Sequence, residues 1–198
     1  MKLILATSNK GKLREVKEIL PEYDIVTMSE AGINDEIEEN GKTFEENAYI
    51  KAKYVCDKLN TVTIADDSGL EVDYLGGAPG IYSARFAGED ATDKDRNAKL
   101  LSMLDGVPYD KRTARYVCSI AIVYPSGESH IFTKTCEGYI LDKETGSGGF
   151  GYDPLFYFPD FKTTLANVPL DLKNTVSHRS KALGELKKFL AEQKNKEE

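Results

Sequence analysis

Cysteine is scarce in this 198-residue chain: Cys56, Cys118 and Cys136 are odd in number, and no two stand at CxxC spacing. That argues against a disulfide scaffold or a cysteine zinc site and predicts small, reduced core residues in a cytoplasmic protein. No apolar run reaches the roughly 20 residues that cross a bilayer, and the first residues lack the charged and apolar regions of a signal peptide. Low-complexity tracts and internal repeats are missing as well. Positive charge is in deficit, since 26 Lys and Arg against 33 Asp and Glu leave a formal net charge of −7. Such a chain repels a nucleic-acid backbone, whose binding is largely phosphate neutralisation, so neither nucleic acid nor membrane is expected as a partner. A polyanion bound here must be small and must meet a local cluster of cations. Lys10, Lys12, Lys51, Lys53, Lys173, His178, Arg179 and Lys181 are the candidates.

What is present reads as one globular domain over residues 1–198, of two lobes, with length enough for a sizeable core. Strand-length apolar runs alternate with helical stripes through the first half, which predicts an α/β fold. Leu3, Ile4 and Leu5 form the first strand, and Leu13, Val16, Ile19 and Leu20 give a helical stripe closed by Pro21. Residues 24–28 read as a second strand, and 44–59 as a helix capped by Thr43, with Glu46 fitting a capping box. The stretch 61–75 reads as a strand that breaks at Asp66 and Asp67, 93–107 as an amphipathic helix, and 114–141 as a hairpin turning at Pro125-Ser-Gly127. Ser177 is placed to cap a final helix that gives way to a solvated charged tail.

Chemistry-bearing residues concentrate at four places. Between the first strand and helix, "TSNKGK" (Thr7, Ser8, Asn9, Lys10, Gly11, Lys12) has two lysines beside the free amides of a helix start, capped by Ser8 or Asn9. That is a seat for phosphate, although its spacing is not that of the nucleotide P-loop. In "ADDSG", successive strand residues point to opposite faces, so Asp66 and Asp67 would not share one site. Asp67, beside Ser68 and Gly69, is the better candidate, with Glu36, Glu38 and Glu39 of an acidic loop as its natural partners. Two or three carboxylates with water suit hard Mg²⁺, and a carboxylate also suits a general base. In "GGFGYDP", glycines let backbone approach a flat ligand on which Phe150 or Tyr152 stacks, with Asp153 to accept a ring N–H. In "SHRSK", His178 and Arg179 stand in the first turn of a helix, where the dipole disfavours cations, so they serve binding rather than the helix.

Taken in order, "TSNKGK", "ADDSGLEVDYLGGAPGIYSARFAG" (65–88), "GGFGYDPLF" (148–156) and "SHRSKAL" (177–183) span nearly the whole chain, which resembles the inosine triphosphate pyrophosphatase family. The resemblance implies an elongated mixed β-sheet with flanking helices, two lobes around a central cleft, and a homodimer. It also implies Mg²⁺-dependent hydrolysis of ITP, dITP and XTP to the monophosphate and pyrophosphate, clearing damaged purines from the precursors of DNA and RNA. By position, it implies that Thr7 to Lys12 hold the triphosphate, with Lys51 rather than Lys53 as a further phosphate partner. Asp67 is implied as general base and metal ligand, with Glu38 completing the metal site and Ser68 touching the nucleotide. Phe150, Gly151, Tyr152, Asp153, Lys173, His178 and Arg179 are implied to line the base pocket. A donor such as Arg179 or Lys173 aimed at the 6-oxo group goes unpaired when adenine enters, and such a loss discriminates by about 10⁴-fold.

Two other readings stand beside this one. A related pyrophosphatase of pyrimidine or modified nucleotides differs in its turnover of UTP and TTP against ITP. A nucleotide sensor without turnover has no use for carboxylates beside phosphates unless a metal intervenes.

Overall fold

The structure is a computed structural model that describes residues 1–197. Its elements run β1 (Lys2–Leu5), α1 (Lys10–Ile19), β2 (Asp24–Thr27), α2 (Phe44–Leu59), β3 (Thr63–Val72), α3 (Asp93–Met103), β4 (Thr113–Val123), β5 (Ser129–Ile140), β6 (Phe156–Phe158), β7 (Thr163–Thr164), α4 (Leu170–Val176) and α5 (His178–Glu197). The strands form one sheet in the order β2-β1-β3-β4-β5-β6-β7. β1 is parallel to β2, with Leu3 opposite Ile25, and parallel to β3, with Ile4 opposite Thr63. β6 is antiparallel to β5 and β7. The fold is α/β, as the alternation of strands and helices implied, and the sheet is mixed, as the family resemblance implied.

Polar side chains set the helix starts. Of the two candidate caps of α1, Asn9 is the one used: its side-chain oxygen accepts from the amides of Gly11 (2.8 Å) and Lys12 (3.2 Å). Thr43 caps α2 by accepting from the Glu46 amide at 3.1 Å. The Glu46 carboxylate, however, accepts from the Lys42 amide, one residue before the cap, so the expected box does not close on Thr43. A reciprocal box does close at α3, where Thr92 and Asp95 each accept from the other's amide. Each cap contributes about 1 kcal/mol.

Two expectations are corrected. β3 does not break at its aspartates. It runs on through Asp66, Asp67, Ser68 and Gly69 to Val72, because buried ionic and amide partners take up the carboxylates and leave the ladder intact. The final helix does not end ahead of the charged tail, since α5 continues to Glu197. The short strands β6 and β7 and the helix α4 were not expected, being too brief to show a period.

The chain divides into two compact units. The first comprises Met1–Asp67, Cys118–Lys134 and the segment from His178. Within it the two faces of β1 are buried separately. Leu3 and Leu5 pack with Val16 of α1, its C-cap Leu20, and Leu183 and Leu186 of α5, whereas Ile4, with Ala6 just past the strand, packs with Ala48, Ala52 and Val55 of α2. A strand covered on both faces reads as an unbroken apolar run, which is how β1 looks in the sequence. The second unit, Ser68–Val117 and Thr135–Ser177, has its own core. Leu70 and Val72 of β3, Leu100 of α3, Tyr116 of β4, Ile140 of β5 and Phe156 of β6 meet there. All three cysteines are buried and form no disulfide. Among the described residues, no helix is long and apolar enough to cross a membrane.

Candidate functional site

In the first unit, β3 delivers its two aspartates into different surroundings. Asp66 lies 3.0 Å from Lys12 Nζ, in the first turn of α1, and 3.1 Å from Arg179 Nε, in the first turn of α5. Arg179 also donates from Nη1 to Glu15 Oε2 at 2.5 Å. Arg179, Asp66 and Glu15 are buried. Burial alone would raise the Asp66 carboxyl, but the charges of Lys12 and Arg179 outweigh it and hold the group far below the usual carboxylate range. Asp66 Oδ1 has no protein partner although it is buried. Cys118 shares this environment, and burial, reinforced by the charge of Asp66, pushes its thiol up to about 12. It is an inert core residue rather than a nucleophile.

Asp67 faces α2. Its Oδ2 accepts from Asn47 Nδ2 at 3.1 Å, and its Oδ1 lies 3.6 Å from Lys51 Nζ. Lys51 donates in turn to Glu39 of the acidic loop at 2.8 Å. Burial raises the Asp67 carboxyl and the nearby Glu39 charge adds to that, so the opposing pull of Lys51 does not bring it back to the ordinary value. Burial would lower Lys51, yet Asp67 and Glu39 hold it charged and above its ordinary value. Lys53 is exposed and bound to Asp57, turned away from this group. Glu36 and Glu38 are exposed on the loop. The turn ahead of α1 leaves Ser8, Asn9 and Lys10 exposed, with Thr7 Oγ1 accepting from the Asn9 amide at 3.2 Å. His178 is buried at the start of α5.

The residues expected at a base pocket, other than His178 and Arg179, belong to the second unit. Phe150 is exposed, and Lys173 Nζ stands 4.7 Å from the centroid of its ring. Asp153 is buried and already serves three donors of the protein. Its Oδ2 accepts from Lys173 Nζ (2.7 Å) and the Phe150 amide (3.0 Å), and its Oδ1 from Tyr116 Oη (3.3 Å). Gly149 has φ +73°, and a Cβ there would meet Asp153 Oδ2 at 2.1 Å, so only glycine lets the loop close on this carboxylate. Tyr152 is buried and donates from its hydroxyl to the Ser83 carbonyl at 2.8 Å. The Gly151 amide donates to Asp93 Oδ2 at 2.8 Å, at the first residue of α3. Ser68, the first residue of this unit, is half-buried.

Lys12, Lys51, Asp67 and Arg179 thus lie within the first unit around the paired aspartates, and Phe150, Gly151, Tyr152, Asp153 and Lys173 form a second group on the glycine-rich loop and α4. Three polar residues escaped the sequence reading: Glu15, Asn47 and Asp66 as an ionic centre. Glu15 stands three residues after Lys12, and Asn47 four before Lys51. Helical spacing of a polar residue against a candidate site residue was the available signal.

A profile of the Ham1 family matches residues 3–189. A protein of Desulforamulus reducens named dITP/XTP pyrophosphatase is 54% identical over 185 residues, covering 92% of each chain. One of the same name from Geobacter sulfurreducens is 50% identical over 191 residues, covering 96% of each. Among solved structures, the Staphylococcus aureus Ham1 protein matches with a TM-score of 0.90 at 41% identity, over 98% of this chain and 100% of its own. A HAM1 protein from Coxiella burnetii matches with a TM-score of 0.90 at 38% identity, over 97% and 99%.

Proposed function

Since the chain belongs to the Ham1 family, we propose that it hydrolyses the deaminated purine nucleoside triphosphates ITP, dITP and XTP to the monophosphate and pyrophosphate, with Mg²⁺. The observation that carries the reading is the buried Asp67, raised towards basicity and set beside Lys51 and Glu39. A carboxylate of raised pKa takes a proton from water more readily than an ordinary one. Asp67 accepts the proton of the water that attacks the α-phosphorus. The bond to the bridging oxygen breaks, and pyrophosphate leaves with the electron pair. Lys10 and Lys12, at the N-terminal end of α1, are the counter-charge for the triphosphate, and Lys51 stands where charge grows.

The donor set fits a hard divalent ion. Asp67 and Glu39 already share one cation, the ammonium of Lys51, so this pocket of carboxylates calls for positive charge. Among the described residues there is no group of three or more acidic, His or Cys ligands. Mg²⁺ takes one or two protein oxygens and completes its shell with water and phosphate. With Glu39 engaged by Lys51, Asp67 and the exposed Glu38 are the residues that would hold Mg²⁺. When bound, it neutralises charge on the transferring phosphate and the leaving pyrophosphate.

Phe150 stacks on the base, Lys173 donates to its 6-oxo group, and Asp153 holds Lys173 and the Phe150 amide in place. Thr7, Ser8, Asn9, Gly11, Ser68, Gly151, Tyr152, His178 and Arg179 complete the set that contacts or shapes the nucleotide. The same reading takes the protein as a single pyrophosphatase domain, a homodimer and cytoplasmic, which sedimentation and cell fractionation check. The decisive experiment is a pyrophosphate-release panel across common and deaminated triphosphates, with Mg²⁺ and with chelator. ITP, dITP and XTP are expected to lead, with activity lost on chelation. Asp67→Asn is expected to keep nucleotide binding and lose most pyrophosphate release, and unchanged turnover in that variant would refute the role of Asp67.

A further inference from the structure

We propose that Asn47 is a positioning residue which fixes the acidic loop against Asp67 and thereby assembles the cation site; this rests on the metal-dependent reading above. Asn47 is 0% exposed, on the first turns of α2, next to the core residue Ala48. An amide in such a place costs free energy unless both of its ends are bonded, and an apolar residue is its ordinary occupant. Both ends are bonded here, to different segments. The Nδ2 donates to Asp67 Oδ2 at 3.1 Å, and Oδ1 accepts from the Gly41 amide at 2.9 Å.

Gly41 lies two residues beyond Glu39 and three beyond Glu38, so its amide marks the height at which the acidic loop meets the helix. The approach is close. A Cβ at Gly41 would stand 2.6 Å from Asn47 Oδ1 and 2.7 Å from Glu46 Cβ. Lys51, four residues on and therefore on the same face of α2, ties Glu39 to Asp67 by charge. Two positions one helical turn apart thus each join the same loop to the same strand residue. Lys51 does so with a long flexible side chain, and Asn47 with a short, buried one that sets the separation. Asn47 touches neither nucleotide nor metal in this scheme. It orients a ligand by a hydrogen bond from behind, and the loss of such a partner costs metal affinity by about 10–100-fold.

The test uses the full chain with Asn47→Leu, which keeps the volume and removes both hydrogen bonds. A second variant, Gly41→Ala, displaces the loop and leaves Asn47 in place, which keeps the proposal testable where Asn47→Leu fails to fold. Mn²⁺ binding is titrated by electron paramagnetic resonance without nucleotide, and pyrophosphate release from ITP is followed against Mg²⁺. Both variants are expected to weaken Mn²⁺ binding by about tenfold or more and to raise the Mg²⁺ half-saturation by the same factor. Turnover is expected to recover at saturating Mg²⁺ with KM for ITP unchanged. Variants that bind Mn²⁺ like the parent overturn the proposal, and so does lost turnover that excess Mg²⁺ does not restore. A parent chain that binds no Mn²⁺ and works in chelator overturns the metal reading itself, and the proposal with it.

Discussion

Asp66→Asn tests whether the ionic centre beside the catalytic candidate is a closed, mutually neutralising unit. Lys12 and Arg179 supply two positive charges, and Asp66 and Glu15 two negative ones, with only Lys12 retaining contact with water at 16% exposure. Removing one member of a buried pair strands the charge of the other, at about 3–5 kcal/mol. Asn keeps the shape and one oxygen acceptor, and Lys12 can hydrate, so the lower end, about 3 kcal/mol, applies. A chain of this size loses about 2–4 °C of melting temperature per kcal/mol, which predicts a fall of about 6–12 °C. Urea unfolding followed by circular dichroism, with calorimetry, measures it. The double variant Asp66→Asn with Arg179→Met removes one charge of each sign and leaves the set balanced. It is expected to lose less than the sum of the two single variants, by an interaction of about 1–3 kcal/mol. An Asp66→Asn protein that melts with the parent, or a double variant whose losses simply add, would refute the closed-unit argument.

Acid should reveal the same residue. The folded Asp66 binds its proton at a lower pH than the unfolded chain, whose aspartates titrate near about 3.9. The unfolded state therefore binds more protons through the acid range, and stability rises with pH there. The contribution is complete above the unfolded value and is lost as pH falls towards the folded one. The stability gap between the parent and Asp66→Asn should accordingly be widest near neutrality and shrink below about pH 4; a gap that stays constant into strong acid contradicts this. For the group proposed to read the base, Asp93→Ala releases the Gly151 amide and breaks the pair with Arg96, which itself holds the carbonyls of Ala84 and Ala91. Its expected effect is a fall of about tenfold in discrimination between ITP and ATP, the equivalent of one hydrogen bond, with the Mg²⁺ half-saturation unmoved. Equal shifts in both quantities would show general damage instead.

How much of this was legible beforehand depended on whether a signal was local. The Thr43 cap and the full extent of α2 follow from side chains a few residues apart and were readable, whereas the α1 cap was narrowed only to Ser8 or Asn9. The apolar run of β1 announced a strand, and the structure adds that both of its faces are covered. The continuity of β3 was not readable. Two adjacent aspartates look like the end of a strand unless Lys12, Arg179, Asn47 and Lys51 are known to be there to receive them, and those come from three separate helices. The same limit hid Glu15, whose partner Arg179 lies far along the chain. At Arg179 the reading of a cation misplaced in a first turn was sound about the helix, yet the side chain is given to two buried carboxylates. At Asp153 the expected acceptor of a ring N–H turned out to serve Lys173, Phe150 and Tyr116.

The alternation of a strand explains why one dipeptide can do two jobs. Ile64 and Asp66 face the core built with α1 and α5, and Ala65 and Asp67 face α2. Asp66 is therefore surrounded by Lys12 and Arg179 and is driven down, so it stays ionised and binds Lys12 to the strand. Asp67 is buried beside Glu39, with which it shares Lys51, and burial drives it up. A slip of one residue would carry one aspartate into the other's surroundings and leave the other in neither. The pairing of Ile4 with Thr63 and Leu5 with Ile64 prevents that slip, because it commits the apolar residues just ahead of the aspartates to opposite cores. The chemistry available to Asp67 is in this sense a consequence of where Ile64 and Ala65 are buried.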